Sequence, residues 1–143
     1  MTHPMYDATI PAFTRSLKAL DACLDKAQAH ADSLKCDIGN ILGSRLAPDM
    51  FPLGRQIQIA CDFAKSISSR MAGVEVPSFE DNEVSLADFK ARIAKTIAYI
   101  NTITSEQFEG SETRAISIPM RDGTKREYVC APYLHHAGLP NFY

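Results

Sequence analysis

The sequence predicts a mainly α-helical bundle with a small β-hairpin near its C-terminal end. Two observations carry that expectation. In three long segments apolar residues recur every three or four positions, and in one late stretch the period drops to two around an Asp-Gly turn signal. The 143 residues suit a single domain over 1–143 with one sizeable core, and the 45% apolar and 22% charged fractions are ordinary for a globular chain.

The first long segment carries the seam Tyr6, Ile10, Phe13, Leu17, Leu20, Leu24, Ala27, Ala31, Leu34. Its alternating spacing of four and three keeps one narrow stripe toward a partner helix. Pro11 lies inside the seam and must mark the true start of the helix or kink it. Arg15, Lys18, Asp25 and Lys26 form the opposite, solvated face. Between Cys36 and Leu46 a short helix is expected with Asp37 as its N-cap, weakened by Gly39 and Gly43. The next helix is expected from an Asp49 cap, with Pro52 tolerated in its first turn, to about Ala72 and the left-handed stop Gly73. The acidic loop GVEVPSFEDNEV should lie on the surface. Ser85, with Asp88 three residues on, should cap the third long helix, whose stripe is Leu86, Phe89, Ile93, Ile97, Ile100 and Ile103, while Lys90, Arg92 and Lys95 point elsewhere. TSEQFEG stops it. Arg114 to Ile118 and Tyr128 to Cys130 then form a hairpin about Asp122-Gly123. The tail YLHHAGLPNFY has a loop-like start, and its final PNFY resembles the opening of a helix.

Composition excludes several classes. The net charge of −2, with no basic stripe, argues against nucleic acid as a partner. No apolar run is long enough for a bilayer, and the N-terminus lacks a signal-peptide pattern, so no membrane partner and a cytoplasmic location are expected. Cys23, Cys36, Cys61 and Cys130 form no CxxC pair; they read as reduced thiols, at least two in helix cores. No nucleophile elbow, P-loop or dinucleotide fingerprint is present.

Four stretches, MYDATIPAF, RLAPDMFPLGRQIQIACDFAK with the following RMAGVEVP, LADFKARIAKTIAYI and LPNFY, together resemble a bacterial family of unknown function within the DinB/YfiT-like metalloenzyme superfamily. PDMFPL and LPNFY are the most specific pieces. The resemblance implies an up-down-down-up four-helix bundle with the hairpin before the last helix. That pattern runs on past LPNFY, so the fourth helix is expected to be largely absent from this sequence. The superfamily's metal-binding members use a histidine on helix two and a His-x-x-x-His pair on helix four to hold Zn²⁺ or Ni²⁺.

On a helical wheel, Gln56 is the one large polar residue near the middle of the apolar arc made by Leu53, Ile57, Ile59, Ala60, Cys61, Phe63, Ala64, Ile67 and Met71. A helix-two ligand would project there. An amide oxygen suits Ca²⁺ or Mg²⁺ better than Zn²⁺, so Gln56 is expected either to orient a ligand by hydrogen bonds or to be a satisfied core amide. Asp62 falls on the polar arc and can pair with Lys65. His135-His136, in an extended segment, would point to opposite sides, and His3 and His30 belong on the surface. Burial of Cys61 would raise its thiol pKa.

The expectation is therefore a small-ligand or protein binding module with Gln56 and Tyr143 as its site residues and no protein metal site or cofactor. The alternative is a Zn- or Ni-dependent, thiol-dependent transferase or hydrolase. Three stripes arranged for four helices leave a groove, which predicts either residues beyond Tyr143 or a dimer that buries it, with a homodimer expected in both cases.

Overall fold

In the computed structural model, which describes residues 3–143, a short helix α1 (Pro4–Asp7) leads into α2 (Ile10–Ser33). Pro11 sits in the first turn of α2, so the true helix start resolves its place in the seam: no intrahelical N–H bond is lost there. Ile10, Phe13, Leu17, Leu24 and Ala31 are buried as the period requires. Leu34 is not: it lies past the last turn, 61% exposed. The short helix α3 (Ile38–Leu42) is capped by the Asp37 carboxylate, which accepts from the Gly39 N–H at 2.6 Å.

Helix α4 (Leu53–Ala72) begins later than expected. Pro52 is its N-cap, and Asp49 lies in the preceding turn. Gly73 ends α4 with φ +70°, and the guanidinium of Arg114 closes over that end by donating to the Met71 carbonyl. Helix α5 (Leu86–Ile100) carries the complete capping box: Ser85 Oγ accepts from the Asp88 N–H at 3.2 Å, and the Asp88 carboxylate accepts from the Ser85 N–H at 2.7 Å. Helix α5 packs along both α2 and α4, with Phe89, Ile93 and Ile100 in the shared core. Two 3₁₀ turns follow, and Phe108, which ends the first, is buried with its ring edge-on to Tyr6 at 5.4 Å.

Strands β1 (Ala115–Pro119) and β2 (Lys125–Val129) pair antiparallel, with Ala115 opposite Val129 and Pro119 opposite Lys125. Gly123, at φ +82°, makes the turn, and Asp122 Oδ1 accepts from the Thr124 N–H. Cys130 belongs to the next element instead of the strand.

The tail differs most from expectation. Helix α6 (Cys130–Tyr133), a π-helical turn (Leu134–Gly138) and α7 (Leu139–Phe142) follow without a break, so helix runs through the stretch expected to be loop-like, and a last helix expected to be largely absent is present before Tyr143. The wider π turn and Gly138 mask the 3.6 period in the sequence. Gly138 lies close against α4: a Cβ there would sit 3.3 Å from Ile67 Cδ1, tighter than ordinary contact. Leu134 is fully buried, and Phe142 packs on Phe13 of α2 with ring centroids 4.5 Å apart. Asn141 donates to the Ala137 carbonyl at 2.7 Å, and Pro140 is accommodated after the wide turn. Among the described residues no helix is long and apolar enough to cross a membrane.

Candidate functional site

Gln56 lies in the first turns of α4, where the last helix ends. Its side chain is half-buried and lines two recesses. One, of about 290 Å³, runs between α2 and α4 and is walled by Leu17, Leu20, Leu53 and Ile57, with Phe142 and Tyr143 at its end. The other, of about 370 Å³, lies toward α3 and is walled by Ile41, Leu46, Met50 and Phe51. Both are near the size of small-molecule sites. The structure thus brings Gln56 and Tyr143 to one cleft. Tyr143 is 75% exposed and its ring meets Phe142 edge-on at 5.1 Å.

The Gln56 amide donates to the Phe51 carbonyl at 3.4 Å, a long bond. That leaves its oxygen and much of its donor capacity directed at the cleft, in contrast to a closed core amide. The enclosed glutamine is Gln58, 7% exposed, which the wheel assigned to the polar side. The wheel described α4 alone; the 73–85 loop folds over the Gln58 side, while the Gln56 side meets the gap at the end of the bundle.

That loop does lie on the surface, but it turns two carboxylates inward onto Arg92. The Arg92 side chain is only 1% exposed, against the sequence expectation. Its Nη1 donates to Glu83 at 3.0 Å and to the Glu80 carbonyl at 2.9 Å; its Nη2 pairs with Asp62 at 3.0 Å and Asp81 at 2.9 Å. Gln58 donates to Glu83 at 2.8 Å and accepts from Arg55, which pairs with Asp81. Asp62 also takes the expected Lys65 at 2.9 Å. Burial alone would lower the Arg92 pKa, but the hydrogen bond to Glu83 and the carboxylates of Asp62, Glu83 and Asp81 outweigh it and raise it. Burial likewise pushes Asp81 and Glu83 up, and their bonds to Arg55, Arg92 and Gln58 hold both below the usual carboxylate range. The cluster joins α4, α5 and the loop; three cations (Arg55, Lys65, Arg92) meet three carboxylates (Asp62, Asp81, Glu83), so it is a neutral clamp.

The remaining candidates are dispersed. His135 and His136 are exposed on the π-helical turn, not in an extended segment. His30 is exposed, whereas His3 is half-buried, 3.4 Å from Glu112 and beside the Phe108 ring. Cys61 and Cys130 are buried, and desolvation pushes the Cys61 thiol up to about 11. Among the described residues no group of three His, Cys, Asp or Glu side chains is placed to hold a metal ion. The polar side chains at the two recesses are the Gln56 amide, the Tyr143 phenol, the Ser16 and Ser44 hydroxyls and the Arg45 guanidinium. That donor set does not fit Zn²⁺ or Ni²⁺, which take imidazole or thiolate nitrogen and sulfur.

Residues 5–143 match a family model described as a domain of unknown function, DUF1993. The chain belongs to the DUF1993 family. The DUF1993 chain is also similar to a crystal structure of a DinB family member protein from Shewanella denitrificans, with 37% identity and a TM-score of 0.89 over 96% of this chain and 78% of that one. No curated protein matches. The DUF1993 fold is accordingly DinB-like, mainly helical, with the hairpin ahead of the last helix.

Proposed function

We propose that this DUF1993 protein is a binding module whose cleft at Gln56 takes a small, uncharged, amphipathic ligand without a metal ion. The observation that carries the proposal is the position of the Gln56 amide where two recesses with mainly apolar side-chain walls meet. Apolar walls supply affinity, and the Gln56 amide, with the few polar groups around it, fixes orientation. Four large apolar side chains with substantial exposure, Leu46, Met50, Phe51 and Tyr143, border those same recesses. Clustering of that kind marks binding surfaces more often than scattered exposure does. The up-down-down-up helix order and a homodimer paired along helix faces are part of the same proposal.

A metal-dependent transferase or hydrolase is the weaker alternative, because the donors at the cleft do not suit the metal. Titration of hexanamide into ¹⁵N-labelled protein tests the proposal. Saturable shifts at Gln56, Leu53 and Tyr143 are expected, weakened in Gln56→Leu with the fold retained, since the amide makes only one long internal bond. Shifts scattered over the surface, or equal affinity in Gln56→Leu, would overturn it.

A further inference from the structure

We infer that a second site, between the C-terminal half of α4 and the hairpin, binds a small monoanionic carboxylate with an apolar body. A cleft of about 470 Å³ opens there. Its apolar walls are Ile59 and Phe63 from α4 and Ile118 from β1, and its polar groups include Arg70 near the end of α4, Arg121 on the hairpin turn and Tyr133 of α6. Gln56 is fourteen residues from Arg70, about 21 Å along the same helix. This cleft shares no lining residue with the recesses at Gln56, so the site is independent of the one proposed above.

Charge balance points to the ligand class. The other cations on this wall, Arg55 and Lys65, are engaged by Asp81 and Asp62 in the neutral clamp. Arg70 and Arg121 take part in no ion pair among the described residues. Two uncompensated guanidiniums therefore face one cleft, one on a helix and one on a turn. Arginine presents a planar fork of donors that matches a carboxylate. Tyr133 adds a protonated phenol hydroxyl beside Arg70, and burial pushes its pKa further up. A phosphate dianion fits less well. The apolar walls would be left unused by a bare ion.

Calorimetric and ¹⁵N-NMR titrations with phenylacetate and octanoate, with phenethylamine and inorganic phosphate as controls, test the inference on the whole chain. Expected are saturable binding of at least one carboxylate and shifts centred on Arg70, Ile118 and Arg121. Affinity should fall about tenfold or more in Arg121→Gln, as loss of a charge-assisted hydrogen bond implies. Arg121 is exposed, so that variant should melt with the wild type, and it carries the test even if Arg70→Gln fails to fold. Absence of carboxylate binding at millimolar concentration would overturn the inference. So would unchanged affinity in Arg121→Gln, phenethylamine or phosphate binding as tightly, or shifts centred on Gln56 and Tyr143 instead. Failure of hexanamide to bind at Gln56 has no bearing on this result.

Discussion

Removal of Arg92 should be the most damaging single change in the polar part of the molecule. In Arg92→Met the aliphatic stem is largely replaced but all four charged or polar contacts are lost. The three carboxylates are not equally affected. Asp62 keeps Lys65 and Asp81 keeps Arg55, and both are more than a third exposed, at 39% and 36%. Their lost contacts are worth roughly 0–1 kcal/mol each. Glu83 is different: its side chain is 9% exposed, and Gln58 would be its only remaining side-chain partner. Leaving a buried charge without its counter-ion costs about 3–5 kcal/mol. Because the loop side of the cluster reaches solvent, the lower figure applies, about 3 kcal/mol in total. At about 4 °C per kcal/mol for a chain of this size, the melting temperature should fall by about 12 °C. Thermal and urea unfolding followed by circular dichroism provides the measurement. The double variant Arg92→Met/Glu83→Gln should recover part of the loss, since the orphaned charge is gone. A destabilisation below about 1 kcal/mol, or no recovery in the double variant, would refute the clamp as described.

Three further outcomes follow from the same structure. The carboxyls of Asp81 and Glu83 are held below their ordinary values of 3.8 and 4.5, so their contribution is fully present above pH 4.5 and is lost as pH falls through the lower folded values; melting temperature against pH should show that acid-side loss, and Arg92→Met should move it to higher pH. Exposed Cys23 should react with a thiol reagent at once, whereas Cys61, buried and raised to about 11, and buried Cys130 should react only as fast as the protein opens; immediate labelling of all four would contradict the burial. Light scattering at micromolar concentration should give the mass of a dimer, and a soluble monomer would remove the homodimer from the proposal.

Much of the fold is legible in local sequence because the signals are local. The Asp37 cap, the Ser85–Asp88 box, the Gly73 stop and the Asp122-Gly123 turn each act within a few residues, and all are found where the sequence indicates. The α2 seam is legible for the same reason; Leu34 fails only because the helix has ended. Arg92 and Gln58 illustrate what is not legible. Their burial depends on where a twelve-residue acidic loop is laid across two helices, and no helical wheel contains that information. The last helix is hidden by its own irregularity, since a π turn, Gly138 and Pro140 all read as chain breakers until Ile67 and Phe13 are seen beneath them. The candidate site lies between these cases. The sequence singles out Gln56 as an amide among apolar neighbours, and the structure adds that it faces a cleft shared with Tyr143. Arg70 and Arg121, far apart in sequence, share a cleft only because the hairpin folds back along α4.

The central claim is that the Gln56 cleft binds a small ligand and needs no metal. Equilibrium binding of hexanamide to untagged protein, measured after exhaustive chelation and again with added Zn²⁺ or Ni²⁺, tests it most directly. The account predicts the same affinity in all three conditions, with the loss confined to Gln56→Leu. Binding that appears only with the metal, or anomalous scattering that places zinc or nickel on Gln56 together with a histidine, would contradict it.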